Sequence, residues 1–444
     1  MRRNTRTHSG FSMILCLLVV AAPARADIPR SPRTLQTDPP LNIVFLQDTN
    51  SAVTVFQIII PAGIRTVPGN LRGLAFLAAR AAMEIPSADD VKKLMEMGTQ
   101  LSSWVEGDCA VLSMTTLSDH FADSLAILAS MLNRPLVTKI RLQRIREWMQ
   151  YRERAENDSP RTAVMQAMVD HFLSAHGYGG GGMGCEATRT AITRSHVINH
   201  LKKSYHAARM WISVVSDLDA EQVQKQLREQ FKLTLAKNPP QPPPPATVSC
   251  PCAVSPAGDS GRKLLQPLVA WGMALPSLTA KSFVQARLLA RLLAGGPGSP
   301  AWRLRDPLGL AYTVDCEVKH FLGGGVMVVF LRTGPQQVAR TCREMETVFA
   351  ELVETGVSRK QLDAAVELEK VDWRRRLQPK RETAWRLGSF AATGLGIDMV
   401  NQYDLCLDDL SIEEMNVFLR GCLSAQNRHR VILGVCLDPE EEKQ

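Results

Sequence analysis

Apolar residues along this chain fall into two rhythms. Short runs alternate with period two or are continuously apolar, as strands require, and longer stretches repeat at three- and four-residue steps, as helices require. Both rhythms run through the chain twice in a similar order. In the first pass, residues 42–46 and 53–60 read as strands joined by a turn at Asp48-Thr49-Asn50, and helices follow over 71–84 and 89–97. A strand over 111–117 precedes helices over 119–132, 141–154, 161–174 and 195–205, and a strand over 210–216 closes the pass. In the second pass, strands are predicted at 268–274, 311–318, 325–331 and 430–436, with helices over 280–293, 337–354 and 359–376. The closing segments RMWISVVSDLDAEQV and RHRVILGVCLDPEEE read as copies of one element. The expected fold class is α+β: two duplicated halves, each a mostly antiparallel sheet with helices packed on one face, joined as a clamshell.

Between the passes lies NPPQPPPP, residues 238–245, followed by Pro251, Pro256 and Gly258. A run so poor in amide donors continues neither a helix nor a ladder, and it reads as a semi-rigid connector. At the other end, Arg2, Arg3 and Arg6 precede an apolar run from Phe11 to Ala22 and the small-x-small triplet Ala24-Arg25-Ala26. That is the layout of a cleavable secretory signal, and the run is too short to span a membrane. The expected division is a signal peptide at 1–26, an N-terminal domain at 27–236, a linker at 237–262 and a C-terminal domain at 263–444. No later stretch reaches spanning length.

Composition then narrows the class. Hydrophobic residues at 45% and charged residues at 22% are globular values, which excludes a disordered or collagen-like chain. A formal charge of +8 invites a nucleic-acid partner, but four of the arginines lie within 1–26, and without them the excess is +4. Arg374-Arg375-Arg376 with Lys380 and Arg381 lacks aromatic interleaving and shares its helix with Glu367, Glu369 and Asp372, so it reads as a solvated face. No nucleic acid is expected. Of ten cysteines, nine follow the signal, an odd number that leaves at least one thiol free of intrachain pairing.

The hairpin ending in Ile60-Pro61-Ala62-Gly63, then Gly73-Leu74-Ala75, and later His176-Gly177-Tyr178-Gly179 with Gly184, resembles the insulinase/pitrilysin-like zinc peptidases. Active members carry His-x-x-Glu-His after the Gly-x-Ala, two ligands one helical turn apart with a general base between them. Here Phe76 stands for the first histidine, Ala79 for the glutamate and Arg80 for the second histidine. A phenyl, a methyl and a guanidinium offer a cation neither ligand nor base. Glu153 falls where the family's third ligand is expected. The resemblance therefore implies a metal-free member that does not hydrolyse peptides alone.

A second signature is intact. Trp302-Arg303-Leu304-Arg305-Asp306 followed by Pro307-Leu308-Gly309-Leu310-Ala311-Tyr312 resembles the family's LR(E/D)xxGLAY element. The resemblance implies that Arg305 and Tyr312 donate hydrogen bonds to a substrate carbonyl, with Gly295 and Gly296 as a glycine-rich substrate loop. It further implies a heterodimer with no cofactor in this chain, which the cleavable signal is expected to deliver to the periplasm. Zinc is expected in a zinc-bearing insulinase-like partner subunit, and a peptide is the substrate. The alternative is a peptide-binding or assembly protein of the same fold, without a role in proteolysis.

Three further features weigh less. His196 and His200, at i and i+4 with His206 nearby, have the spacing of a metal pair but no glutamate between them. Gly179 to Gly184 lacks the Lys-Ser/Thr of a phosphate cradle and reads as a flexible loop. Cys250-Pro251-Cys252 has no second pair at zinc-ribbon spacing.

Overall fold

The computed structural model describes residues 31–37, 41–231 and 265–434. The segments expected to be a signal peptide and a linker, and the cysteines Cys16, Cys250, Cys252 and Cys436, lie outside the described residues.

The first half opens with strands β1 (Arg33–Leu35), β2 (Asn42–Gln47) and β3 (Val53–Ile60), then helices α1 (Leu74–Ala82) and α2 (Ala88–Glu96). Strands β4 (Gln100–Val105) and β5 (Ala110–Leu117) form a hairpin, and helices α3 (Phe121–Asn133), α4 (Lys139–Asn157), α5 (Pro160–Leu173), α6 (Glu186–Ala191) and α7 (Arg194–Ser204) follow. Strand β6 (Trp211–Ser216) and helix α8 (Ala220–Gln230) end the half. The six strands lie in the order β1-β2-β6-β3-β5-β4, antiparallel except for the β2–β6 pair. β3 is buried at seven of its eight positions, and its apolar run VTVFQIII fits a strand covered on both faces. The polar strand β4, with the sequence QLSSWV, is an edge strand, and its weak alternation hid it from the pattern.

The second half contains β7 (Leu268–Leu275), α9 (Ala280–Ala294), β8 (Ala311–Phe321), β9 (Gly324–Thr333), α10 (Val338–Thr355) and α11 (Arg359–Arg376). Helices α12 (Lys380–Thr393), α13 (Met399–Asp408) and α14 (Ile412–Leu423) lead to β10 (Arg428–Leu433). The sheet order β10-β7-β9-β8 is wholly antiparallel, with β8 at an edge. Side-chain caps start several helices where polar residues precede the apolar rhythm. Thr279 accepts from the Ser282 amide before α9, and Ser358 from the Gln361 amide before α11.

Each sheet buries one face under helices of its own half. The opposite face is covered by a helix of the other half. Helix α5 lies across β7, β9 and β10, with Val164, Met168 and Leu173 packing among Ala270, Val328 and Phe330. Helix α12 returns the exchange on β2, β3 and β6. Gly388 makes that approach possible, because a Cβ there would stand 2.2 Å from a carbon of Ile59. Lys380, at the start of α12, is 9% exposed and donates to the carbonyls of Asp48, Ser51 and Val53 at 2.7, 2.7 and 2.9 Å. Burial lowers its pKa from the ordinary lysine value.

A second inter-half tie sits at the β4–β5 turn. The Tyr178 hydroxyl donates to Asp108 Oδ1 (2.8 Å) and accepts from the Gly323 amide (2.9 Å), while the Leu322 amide donates to Asp108 Oδ2 (2.9 Å). The Tyr178 ring stacks on Phe321 at 4.7 Å. Burial, reinforced by the Asp108 carboxylate, pushes the Tyr178 phenol up.

Candidate functional site

Helix α1 holds the three positions where a zinc motif would stand. Gly73 precedes it at φ +99°, and a Cβ there would meet the Met183 carbonyl oxygen at 2.6 Å. Only glycine accommodates both the dihedral and the contact. Phe76 is 7% exposed and stacks on Trp148 of α4, ring centroids 5.5 Å apart and planes 10° from parallel. Ala79 is buried. The Arg80 guanidinium carbon lies 5.7 Å from the Trp148 ring centroid, and that of Arg152 lies 5.6 Å from it. Arg141 and Arg144 both pair with Glu84, just beyond α1, and fasten α4 against it.

Glu153 does not face this stack as a free carboxylate. It pairs with Arg189 of α6 at 2.5 Å, and Arg189 also donates to the Gly184 carbonyl at 2.6 Å. Among the described residues no group of three His, Cys, Asp or Glu could hold a metal ion. The donor chemistry at 76, 79 and 80 does not fit zinc: an aromatic stack fills the space and guanidinium charges surround it.

The glycine run after Tyr178 is tied down, which corrects the expectation of a flexible loop. The Gly180 amide donates to Asp170 Oδ1 at 2.8 Å, the same oxygen that accepts from Gln166, and Arg72 donates to the Gly177 carbonyl at 2.7 Å. The histidine pair is also separated in role. His196 caps its own helix, its Nδ1 accepting from the Thr193 amide, whereas His200 is buried and its pKa is lowered by desolvation to about 4.

In the second half, Gly295 and Gly296 follow α9, and the Ser299 hydroxyl donates to the Gly296 carbonyl at 2.7 Å. A 3-10 turn over Pro300–Leu304 then delivers Arg305. Its side chain is 44% exposed, lies 4.6 Å from the Trp302 ring and reaches Asp306 at 3.8 Å. Tyr312 is the extra residue of a β-bulge near the start of β8: Ala311 pairs with Thr333 and Thr313 with Arg332. Bulges re-aim side chains, and Tyr312 is 69% exposed. Arg305, paired with Asp306, precedes the edge strand β8, and Tyr312 stands exposed at its start. Trp148 escaped the sequence reading because it lies 72 positions from Phe76, and its place on an arginine-rich helix gave no local signal.

Comparison with known proteins follows the two halves. Residues 42–186 match the family model described as insulinase (peptidase family M16), and residues 191–368 match the model described as peptidase M16 inactive domain. A curated relative, an uncharacterized zinc protease of Rickettsia felis, is 19% identical over 263 residues, covering 58% of this chain and 62% of its own length. Among solved structures, the peptidase M16 inactive domain from Pseudomonas fluorescens superposes with a TM-score of 0.76 at 18% identity, covering 92% of this chain and 98% of that one. A protease from Helicobacter pylori gives 0.79 at 15% identity, with 91% and 99% covered. The first half of the periplasmic protease PqqL from Escherichia coli gives 0.71 at 14% identity, with 93% and 95% covered. At such identities the likeness is one of fold.

Proposed function

The chain belongs to the insulinase-like peptidase family as a non-catalytic member, and from that premise we propose that it serves as the metal-free subunit of a two-chain peptidase. A zinc-bearing partner of the same family supplies the metal and the base. This chain closes the peptide chamber and offers Arg305 and Tyr312 to a substrate carbonyl, with Gly295 and Gly296 lining the approach. One observation carries the reading: the metal position is filled by the Phe76–Trp148 stack, while the Arg305 and Tyr312 side chains are exposed. A guanidinium and a phenol are suited to stabilise an oxyanion formed on a metal held elsewhere.

The division into 27–236, 237–262 and 263–444, the signal at 1–26 and a periplasmic location belong to the same proposal. The periplasmic setting of a fold neighbour supports it. The test mixes the chain with a relative carrying intact His-x-x-Glu-His and measures peptide cleavage. Arg305→Ala and Tyr312→Phe are expected to slow turnover by about a hundredfold or more, the lower range for loss of an oxyanion donor, while association is preserved. Wild-type turnover in both variants overturns the donor role and leaves the assembly or scaffold reading.

A further inference from the structure

We propose that Arg80, at the place of the family's second histidine ligand, anchors a carboxylate of a bound peptide. Its guanidinium is held over the indole of Trp148, which is itself braced by Phe76 from α1. Stacking of this kind leaves the guanidinium edge, with its parallel N–H donors, available for a bidentate carboxylate. Among the described residues the Arg80 side chain has neither a hydrogen-bond partner nor an ion-pair partner. The nearby acids are already committed: Glu84 to Arg141 and Arg144, Glu153 to Arg189, and Glu156 to Arg152.

The surroundings favour an extended acidic chain. Helix α4 carries Lys139, Arg141, Arg144, Arg146, Arg152 and Arg154 against Glu147, Glu153 and Glu156, an excess of positive charge. Trp148 and Tyr151, 39% and 70% exposed, supply an apolar shelf beside these cations. The replacement of the metal ligand thus exchanges one way of holding a peptide for another: a fixed cation on a side chain in place of a bound ion. The shared chemistry is a carboxylate, from either an acidic side chain or the C-terminus of the peptide.

This inference rests on the reading of the chain as a peptide-binding subunit, and it is tested without the partner. Fluorescence polarisation of the full mature chain uses three labelled decapeptides of alanine, serine and phenylalanine. One has a central glutamate and an amidated C-terminus, one has glutamine and a free C-terminus, and one has glutamine and an amide. Wild-type protein is expected to bind one of the first two about tenfold more tightly than the third, as for a charge-assisted pair. Which one is preferred identifies the source of the carboxylate. Arg80→Gln should abolish the preference, Arg80→Lys should retain part of it, and added salt should reduce it. Equal binding of all three peptides, no binding of any, or a preference that survives Arg80→Gln overturns the proposal. A lowered melting temperature in Arg80→Gln with the preference intact assigns the residue to packing alone. Failure here leaves the Arg305 and Tyr312 test of the assembled peptidase unaffected.

Discussion

His200 makes this protein sensitive to acid in a way that can be worked out in advance. The side chain is 9% exposed, and desolvation alone lowers its pKa from 6.5 to about 4. The unfolded chain binds the proton at the ordinary pKa and the folded chain resists it, so stability falls as pH drops through the interval between them. At pH 5.5 the loss is about 1.4 kcal/mol, and by pH 4 it approaches 3 kcal/mol, from 1.36 kcal/mol per pKa unit. Above pH 7 the group contributes no slope. Urea unfolding of wild type and His200→Gln at pH 7, 5.5 and 4 reads this directly. The histidines whose pKa values are also lowered, His320 and His429, contribute the same slope to both proteins and cancel. The stability difference between the two proteins should move by about 3 kcal/mol between pH 7 and 4, in favour of the variant. Parallel curves would show that His200 is not held neutral by burial, and the reasoning fails.

Three other outcomes are expected. Lys380→Met should destabilise the fold by about 2–4 kcal/mol in urea unfolding, since it strips a partly buried ammonium from the Asp48, Ser51 and Val53 carbonyls; a loss under 0.5 kcal/mol would mean those carbonyls are served by water. Gly73→Ala should cost about 2 kcal/mol or more, from positive φ and the Met183 carbonyl contact, and an unchanged melting temperature would contradict that geometry. Restoring the motif with Phe76→His, Ala79→Glu and Arg80→His should leave zinc well below one equivalent by elemental analysis, because Glu153 remains paired with Arg189; stoichiometric, dialysis-resistant zinc would refute this.

Much of the architecture was legible because local rhythm and burial agree in it. The largely apolar β3, the unbroken apolar run of β9 at 326–331 and the capped start of α9 announce themselves within ten residues. The polar edge strand β4 does not, nor does α8, where Val223 and Leu227 are the buried positions among eleven residues. The site divides in the same way. The missing ligands at 76, 79 and 80 are visible in a five-residue window, and so is the spacing from Arg305 to Tyr312. The ring stack that replaced the ligands is not visible there, because Trp148 reaches Phe76 only through the packing of α4 on α1. The tethering of the glycine run was hidden for the same reason. Its acceptor, Asp170, belongs to a helix whose sequence gives no sign of which way that carboxylate turns.

The exchange of α5 and α12 between the sheets determines what can move. Hinging within the chain would have to peel α5 from β7 and β9 and α12 from β3 and β6, laying bare both sheets at once. The duplicated halves therefore behave as a single unit that does not open along the seam between its sheets. For the same reason a backbone cut between 237 and 262 would leave two fragments that still clasp one another. Either half produced alone, with one sheet face uncovered, would be an aggregating stub.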